Sequence, residues 1–122
     1  MGVTYILVNQ TKRETVAYDH VRASKKRELA GNGAASAITT WYLLENLGDR
    51  ISFVSDEDRG WPFPAGSRAE LASYVDVTQR IVEDLLRNQI LEDRGYAFVD
   101  PDEPGTVYER DLRNIWERDE PS

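Results

Sequence analysis

The apolar residues after Gly33 recur at three- and four-residue steps, and this spacing constrains the fold more than any other feature of the chain. The residues on this face are Ala34, Ala37, Ile38, Trp41 and Leu44. Such spacing is typical of an amphipathic α-helix with one buried face. We therefore expect a central helix with Trp41 in the core, ended by Gly48 as its C′ residue.

Shorter patterns on both sides of this helix predict strands and turns. We expect an N-terminal hairpin from YILV and TVAY, a strand from RISFVSD, a loop at WPFPAGS, a short helix from Arg68 to Ser73, a second helix from Thr78 to near Asn88, a C-terminal hairpin from YAFV and TVYE, and a last short helix at LRNIW. With 122 residues and 40% apolar content, the chain suits a single compact α+β domain over residues 1–122.

The chain contains no cysteine, which excludes disulfides, thiolate nucleophiles and thiolate-ligated metals. Residues 2–9 are apolar but lack the basic start and the length of a secretion signal. No run approaches the roughly 20 apolar residues that cross a bilayer. We therefore expect a cytoplasmic protein that has no membrane partner.

The net charge of −7 is unevenly distributed along the chain. Up to Arg27 there are six basic and two acidic residues, whereas nine basic and twenty acidic residues follow from Glu28 onward. An acidic body repels a phosphate backbone and attracts a cationic protein. Surplus acid also simply keeps a small domain soluble. The charge pattern therefore favours a basic protein over nucleic acid as a partner.

The segment AGNGAAS opens the central helix, and two interpretations compete for it. Backbone N–H groups at a helix start can bind a phosphate, with charge added by nearby cations. The candidate anion-binding residues are Lys25, Lys26, Arg27, Gly31, Asn32 and Gly33. The fingerprints of dinucleotide and P-loop sites are incomplete here. Asn32 has a simpler role as the N-cap of the helix, which is the favoured interpretation.

The residues that catalysis or metal binding would need form no recognisable set. His20 is the one histidine, and no serine lies in a nucleophile elbow. Asp100, Asp102, Gly105 and Asp111 match positions of a calcium loop, but Pro104 replaces an expected ligand. We predict no catalytic residues, metal or cofactor. An enzyme stays open only through carboxylate pairs such as Asp56 and Asp58.

Residues 78–111 resemble the second half of a winged-helix module, in which a helix precedes a hairpin. Arg80, Arg87, Asn88 and Gln89 could contact DNA from such a helix. Glu83 and Asp84 interrupt them, and the hairpin turn is acidic. A winged-helix-like DNA-binding regulator is therefore an alternative hypothesis, and a nucleotide or phosphate site at the start of the central helix is a further one.

The loop DEDRGWPF combines aromatic rings with prolines and charges, as an anchor with a polar rim does. The candidate partner-binding residues are Asp56, Glu57, Asp58, Arg59, Trp61 and Phe63. The competing interpretation is that Trp61 and Phe63 fold back onto the core. The favoured function is a small protein-interaction module, an acidic inhibitor or immunity- or antitoxin-like protein that binds a basic partner.

YILVNQTKRE and the later GDRISFVSD together resemble a group of small uncharacterised bacterial proteins. Members begin with a V-N-x-T-K-x-E segment and carry a G-D-R-I strand after a glycine-initiated helix. The resemblance covers about the first half of the chain. It implies a bacterial cytoplasmic domain, and because the group has no assigned chemistry it carries over no site residues.

Overall fold

The computed structural model describes residues 3–21, 23–56 and 61–116. The strands are β1 (Tyr5–Asn9), β2 (Glu14–Val16), β3 (Ile51–Ser55), β4 (Val75–Asp76), β5 (Leu91–Val99) and β6 (Tyr108–Asn114), and the α-helices are α1 (Lys26–Gly31), α2 (Gly33–Glu45) and α3 (Thr78–Arg87). Two 3-10 helices span Asp19–Val21 and Arg68–Ser73. The fold is α+β, as predicted, and the short helix has the predicted bounds.

The first four strands form one sheet in the order β3-β1-β2-β4. β1 pairs antiparallel with both β2 and β3, and β2 pairs parallel with β4. The predicted N-terminal hairpin and the strand after the central helix are therefore confirmed. β1 is a central strand, so it needs apolar residues on both faces, which explains its continuous apolar sequence.

The core lies on both faces of this sheet. Leu7 packs with the helical layer, where α2 and α3 contribute Ile38 and Ile81. Val8 points to the opposite face because side chains alternate along a strand, and it packs there against Val54 and Phe63. The described part of the loop after β3, together with the second 3-10 helix, thus covers the face of the sheet that the α-helices leave open.

The central helix is rotated relative to the prediction. Its buried residues are Ala34, Ala35, Ile38 and Tyr42, and Trp41 is only partly buried. Leu44 is 63% exposed, so its predicted place in the core is wrong. Tyr42 can occupy the core because its hydroxyl has hydrogen-bond partners there. It accepts from the Asn9 amide and donates to the Glu14 carboxylate. The helix ends at Glu45 with Asn46 as its C-cap, and Gly48 follows two residues later with φ +90°.

The second half contains α3 followed by a hairpin, as predicted. α3 ends at its expected C-cap, Asn88. Its start is held by Asp76, whose Oδ1 accepts from the Thr78 N–H at 2.8 Å, and Thr78 is the first helical residue, as predicted. The last short helix predicted at LRNIW is wrong, because Leu112, Arg113 and Asn114 continue β6 and the next two residues form a turn.

Candidate interaction surfaces

β5 and β6 form a separate two-stranded sheet, here called the arm (residues 91–114). Every β5 residue after Leu91 is exposed. A two-stranded hairpin is marginally stable by itself, so the arm depends on contacts at its base. Leu91 and Leu112 supply them, since both are buried in the helical core cluster.

Polar and aromatic contacts fix the arm against the rest of the chain. The Arg110 guanidinium donates to Gln79 Oε1 on α3 at 2.8 Å and to Asp93 Oδ2 at 3.0 Å. The Gly95 N–H also donates to Asp93. The Gly95 bond, followed by the Arg110 contact, holds the pKa of Asp93 below its usual value. These contacts form a junction around the Asp93 carboxylate, and the hydrogen bond from Arg110 to Gln79 connects this junction to α3.

Beyond this junction the arm carries four exposed apolar side chains, Tyr96, Phe98, Val99 and Val107. Tyr96 is 64% exposed and Phe98 47% exposed. The turn beyond them carries Asp100, Asp102 and Glu103. The sequence predicts these strands. It does not predict that their apolar residues are exposed, because apolar alternation normally indicates a buried face. No local signal shows that this hairpin lacks a covering layer.

The predicted partner-binding loop is divided by the structure. Glu57, Asp58 and Arg59 lie outside the described residues. The Asp56 carboxylate accepts hydrogen bonds from the Thr4 hydroxyl and N–H, and the hydroxyl bond is the larger cause of its lowered pKa. Asp56, which follows β3, is thus connected to Thr4, which precedes β1.

The two aromatic residues of that loop fold back onto the second core cluster. Phe63 is 8% exposed, which removes it from any contact surface. Trp61 packs edge-to-face on Phe63 with centroids 5.2 Å apart, and its Nε1–H donates to the Ala65 carbonyl at 3.0 Å. Trp61 remains partly exposed and is the one ring of this pair that a partner could reach.

At the start of α2 the capping interpretation is confirmed. Asn32 Oδ1 accepts from the Ala35 N–H at 2.8 Å. The Gly33 carbonyl accepts from Asn114 Nδ2 at 3.1 Å, which ties the helix start to the arm. Gly31 ends α1 next to the cap. Both contacts are structural, and the capping contact explains why this segment has an asparagine at position 32.

The predicted cations do not converge on this helix start. Arg27 shares a shallow hollow with Gly31 and Asn32, whereas Lys26 lines a different groove. Lys25 precedes α1 and is exposed. The structure therefore divides the six predicted anion-binding residues among separate surfaces.

Three arginines do face the α2 start across a groove of about 820 Å³ between α2 and the arm. Each already pairs with a carboxylate, in the pairs Arg94–Glu92, Arg110–Asp93 and Arg113–Asp111. Paired cations have little charge left for an anion. The groove is thus nearly neutral.

A buried polar cluster joins the two sequence segments YILVNQTKRE and GDRISFVSD. The Asn9 amide donates to the Tyr42 hydroxyl at 3.0 Å and to Asp49 Oδ2 at 2.9 Å, and Lys12 pairs with Asp49 at 3.1 Å. The Tyr42 hydroxyl donates to Glu14 Oε1 at 2.7 Å. Burial, then the Glu14 bond, raises the pKa of Tyr42 well above its usual value. Fully satisfied clusters of this kind fix one packing arrangement.

Within the described ranges, no three His, Asp or Glu side chains are placed to hold a metal ion. None of the helices in that same part of the chain is long and apolar enough to cross a membrane. No protein-family model matches the chain, and neither a curated protein nor a solved structure matches it significantly.

Proposed function

We propose that the chain is a cytoplasmic protein-interaction module whose arm docks onto a basic partner, as an inhibitor of the immunity or antitoxin type would. The observation that carries this proposal is the exposure of Tyr96 and Phe98 on a strand with no covering layer. Aromatic rings are the residues that most often dominate binding energy at protein interfaces. Contiguous exposed apolar patches are uncommon on monomeric proteins and mark interaction sites.

The charge of the arm supports a basic partner. The arm contains seven acidic and three basic residues, and the three basic ones pair with carboxylates of the same arm. Asp100, Asp102 and Glu103 lie in the turn that follows the exposed apolar side chains of β5. Acidic groups at this position speed association with a cationic surface and select against acidic ones.

The geometry gives the DNA-binding alternative little support. Arg80 on α3 lies 3.8 Å from Glu14, and Arg87 pairs with Asp84. The acidic turn of the arm would face phosphates in a winged-helix docking. Thr78 lies beside Ala17, whereas Lys26 lies in a groove with Tyr5, so Lys26 does not extend the α3 surface.

Affinity capture from the native host tests this proposal. The wild-type chain should retain a basic protein, and Tyr96→Ser with Phe98→Ser should weaken its binding at least about tenfold by calorimetry, since each hot-spot ring contributes about 2 kcal/mol or more. Leu44→Ser with Leu47→Ser is the matched control, because it removes two exposed apolar side chains elsewhere. Equal binding by the arm variant, or capture of no protein by wild type, would refute the proposal.

A further inference from the structure

A second apolar surface lies between the two N-terminal helices and the sheet. This groove, here called the α1–α2 groove, has a volume of about 480 Å³ and is lined by Tyr5, Lys26, Leu29, Ala30, Ser36, Thr39, Thr40 and Phe53. Tyr5 and Phe53 pack edge-to-face with centroids 6.3 Å apart. Phe53 lies in the middle of the edge strand β3, and its side chain is exposed. The groove thus offers aromatic surface at its floor.

The cations beside this groove differ from the others in the described part of the chain. Six Lys or Arg side chains there pair with carboxylates, and three others, Arg13, Arg50 and Arg68, contact hydroxyl, carbonyl or ring groups. Lys25, Lys26 and Arg27 have no ion pair in the described ranges. Glu28 is the nearest acid in sequence, and it accepts from the Lys25 backbone N–H at 3.2 Å.

The placement of these cations is unfavourable within the chain itself. Lys26 and Arg27 occupy the first turn of α1, where the helix dipole favours negative charge. These three exposed cations have no ion pair within the described residues, so an anionic group from outside would complement them. The apolar groove that Lys26 lines would accept an apolar anchor attached to that group.

The arm has this chemistry. We propose that the α1–α2 groove receives the arm of a second copy of this chain, with Phe98 and Tyr96 against Phe53 and the acidic turn against Lys26, which lines the groove, and its chain neighbours Lys25 and Arg27. Extended chain rises about 3.3 Å per residue, so the carboxylates of Asp100 and Asp102 lie within roughly 7–13 Å of Phe98 along the arm. This inference rests on the proposed function only in that the arm is the docking element for both.

The contact joins two different surfaces, so it closes into a dimer only when each arm reaches the groove of the other copy. The net charge of −7 opposes association at low salt. At about 0.1 M salt the screening length is about 10 Å, so the repulsion between whole molecules is largely screened while carboxylate–ammonium contacts persist. Self-association also masks the arm, and a basic partner would therefore compete with it.

A charge exchange measured by sedimentation velocity at about 0.1 M salt tests this inference. Wild type should show a mass that rises with concentration and falls again at about 1 M salt. A groove-reversed variant (Lys25→Glu, Lys26→Glu, Arg27→Glu) and an arm-reversed variant (Asp100→Lys, Asp102→Lys, Glu103→Lys) should each remain monomeric. Their equimolar mixture should associate, because every arm then meets a groove of opposite charge.

A control separates contact from net charge. The variant Asp19→Lys, Glu45→Lys, Glu83→Lys changes the net charge as much as the arm-reversed variant but keeps the charges of the arm and of the groove, so it should self-associate as wild type does. Monomeric wild type, or a mixture of folded variants that stays monomeric, would overturn the inference. Partner capture without self-association refutes only this inference, and self-association without a captured partner refutes only the proposed function.

Discussion

The imidazole of His20 stacks on the ring of Tyr108, with centroids 3.9 Å apart and planes 5° from parallel. His20 Nδ1 also lies 2.9 Å from the Tyr108 carbonyl oxygen. Tyr108 in turn contacts the edge of Tyr96, with centroids 5.6 Å apart. A single residue from the first half of the chain thus supports the aromatic side of the arm.

Replacing this histidine should loosen the arm without unfolding the core. Stacked aromatic pairs contribute about 0.5–1.5 kcal/mol, so His20→Ala should accelerate amide hydrogen exchange around Tyr96 and Tyr108 by up to about tenfold. His20→Phe, which keeps a ring at the position, should restore most of the protection. Unchanged exchange in His20→Ala would show that the stack does not hold the arm.

The rotation of α2 can be tested with two substitutions in one helix. Ile38 is fully buried and Leu44 is mostly exposed. Ile38→Ala should lower the free energy of unfolding by about 2–5 kcal/mol, whereas Leu44→Ala should change it by less than about 0.5 kcal/mol. Urea denaturation measures both. Similar losses at the two positions would mean that the helix faces the core differently.

The Asn32 cap predicts a stability effect that an anion site would not. Asn32→Ala removes the acceptor for the Ala35 N–H and should cost about 1 kcal/mol, seen as a lower urea midpoint. Asn32→Asp keeps an acceptor and should be close to wild type. A larger loss in the aspartate variant than in the alanine variant would contradict the capping role.

The polar cluster predicts a stability change in acid. The Asn9 amide, followed by the Lys12 ammonium, donates to Asp49 and lowers its pKa from 3.8. A carboxyl with a depressed folded pKa stabilises the fold above its unfolded pKa, and this contribution is lost as pH falls through the folded value. The stability difference between wild type and Asp49→Asn should therefore be largest near neutral pH and fade below about pH 4.

Urea midpoints of both proteins at several pH values measure this difference. Lys12→Met removes one donor to Asp49, so its own difference from a Lys12→Met, Asp49→Asn double variant should be smaller at neutral pH. A difference between wild type and Asp49→Asn that grows as the solution becomes more acidic would contradict the assignment.

Local patterns predicted the type of the longer elements, because strand and helix periods differ in sequence, but they missed the short α1 and β4 and predicted a helix where β6 continues. YILVN also showed a run apolar on both faces, which the structure explains by two core layers. The rotation of α2 was not predictable, since Trp41 and Leu44 fit the helical spacing as well as Tyr42 does. What decides it is Asn9, 33 residues away, whose amide needs the Tyr42 hydroxyl.

The candidate surfaces were harder to predict than the fold. Asn32 was identified as a cap because capping is a local interaction. The exposure of Tyr96 and Phe98 depends on which elements fail to cover them, and no sequence pattern records that. Phe63 was assigned to a partner because its loop is polar, although Val8 and Val54 on the sheet bury it.

Gly95 adopts φ +96°, and the pairing of β5 with β6 shifts register between Asp93 and Tyr96 and again before Phe98. A straight strand with these aromatic residues would offer identical chains an unbroken backbone edge, on which cross-β fibrils grow. The bends interrupt that edge after a few residues. Gly95 thereby lets the chain expose these aromatic groups without offering a continuous strand edge on which a fibril could grow.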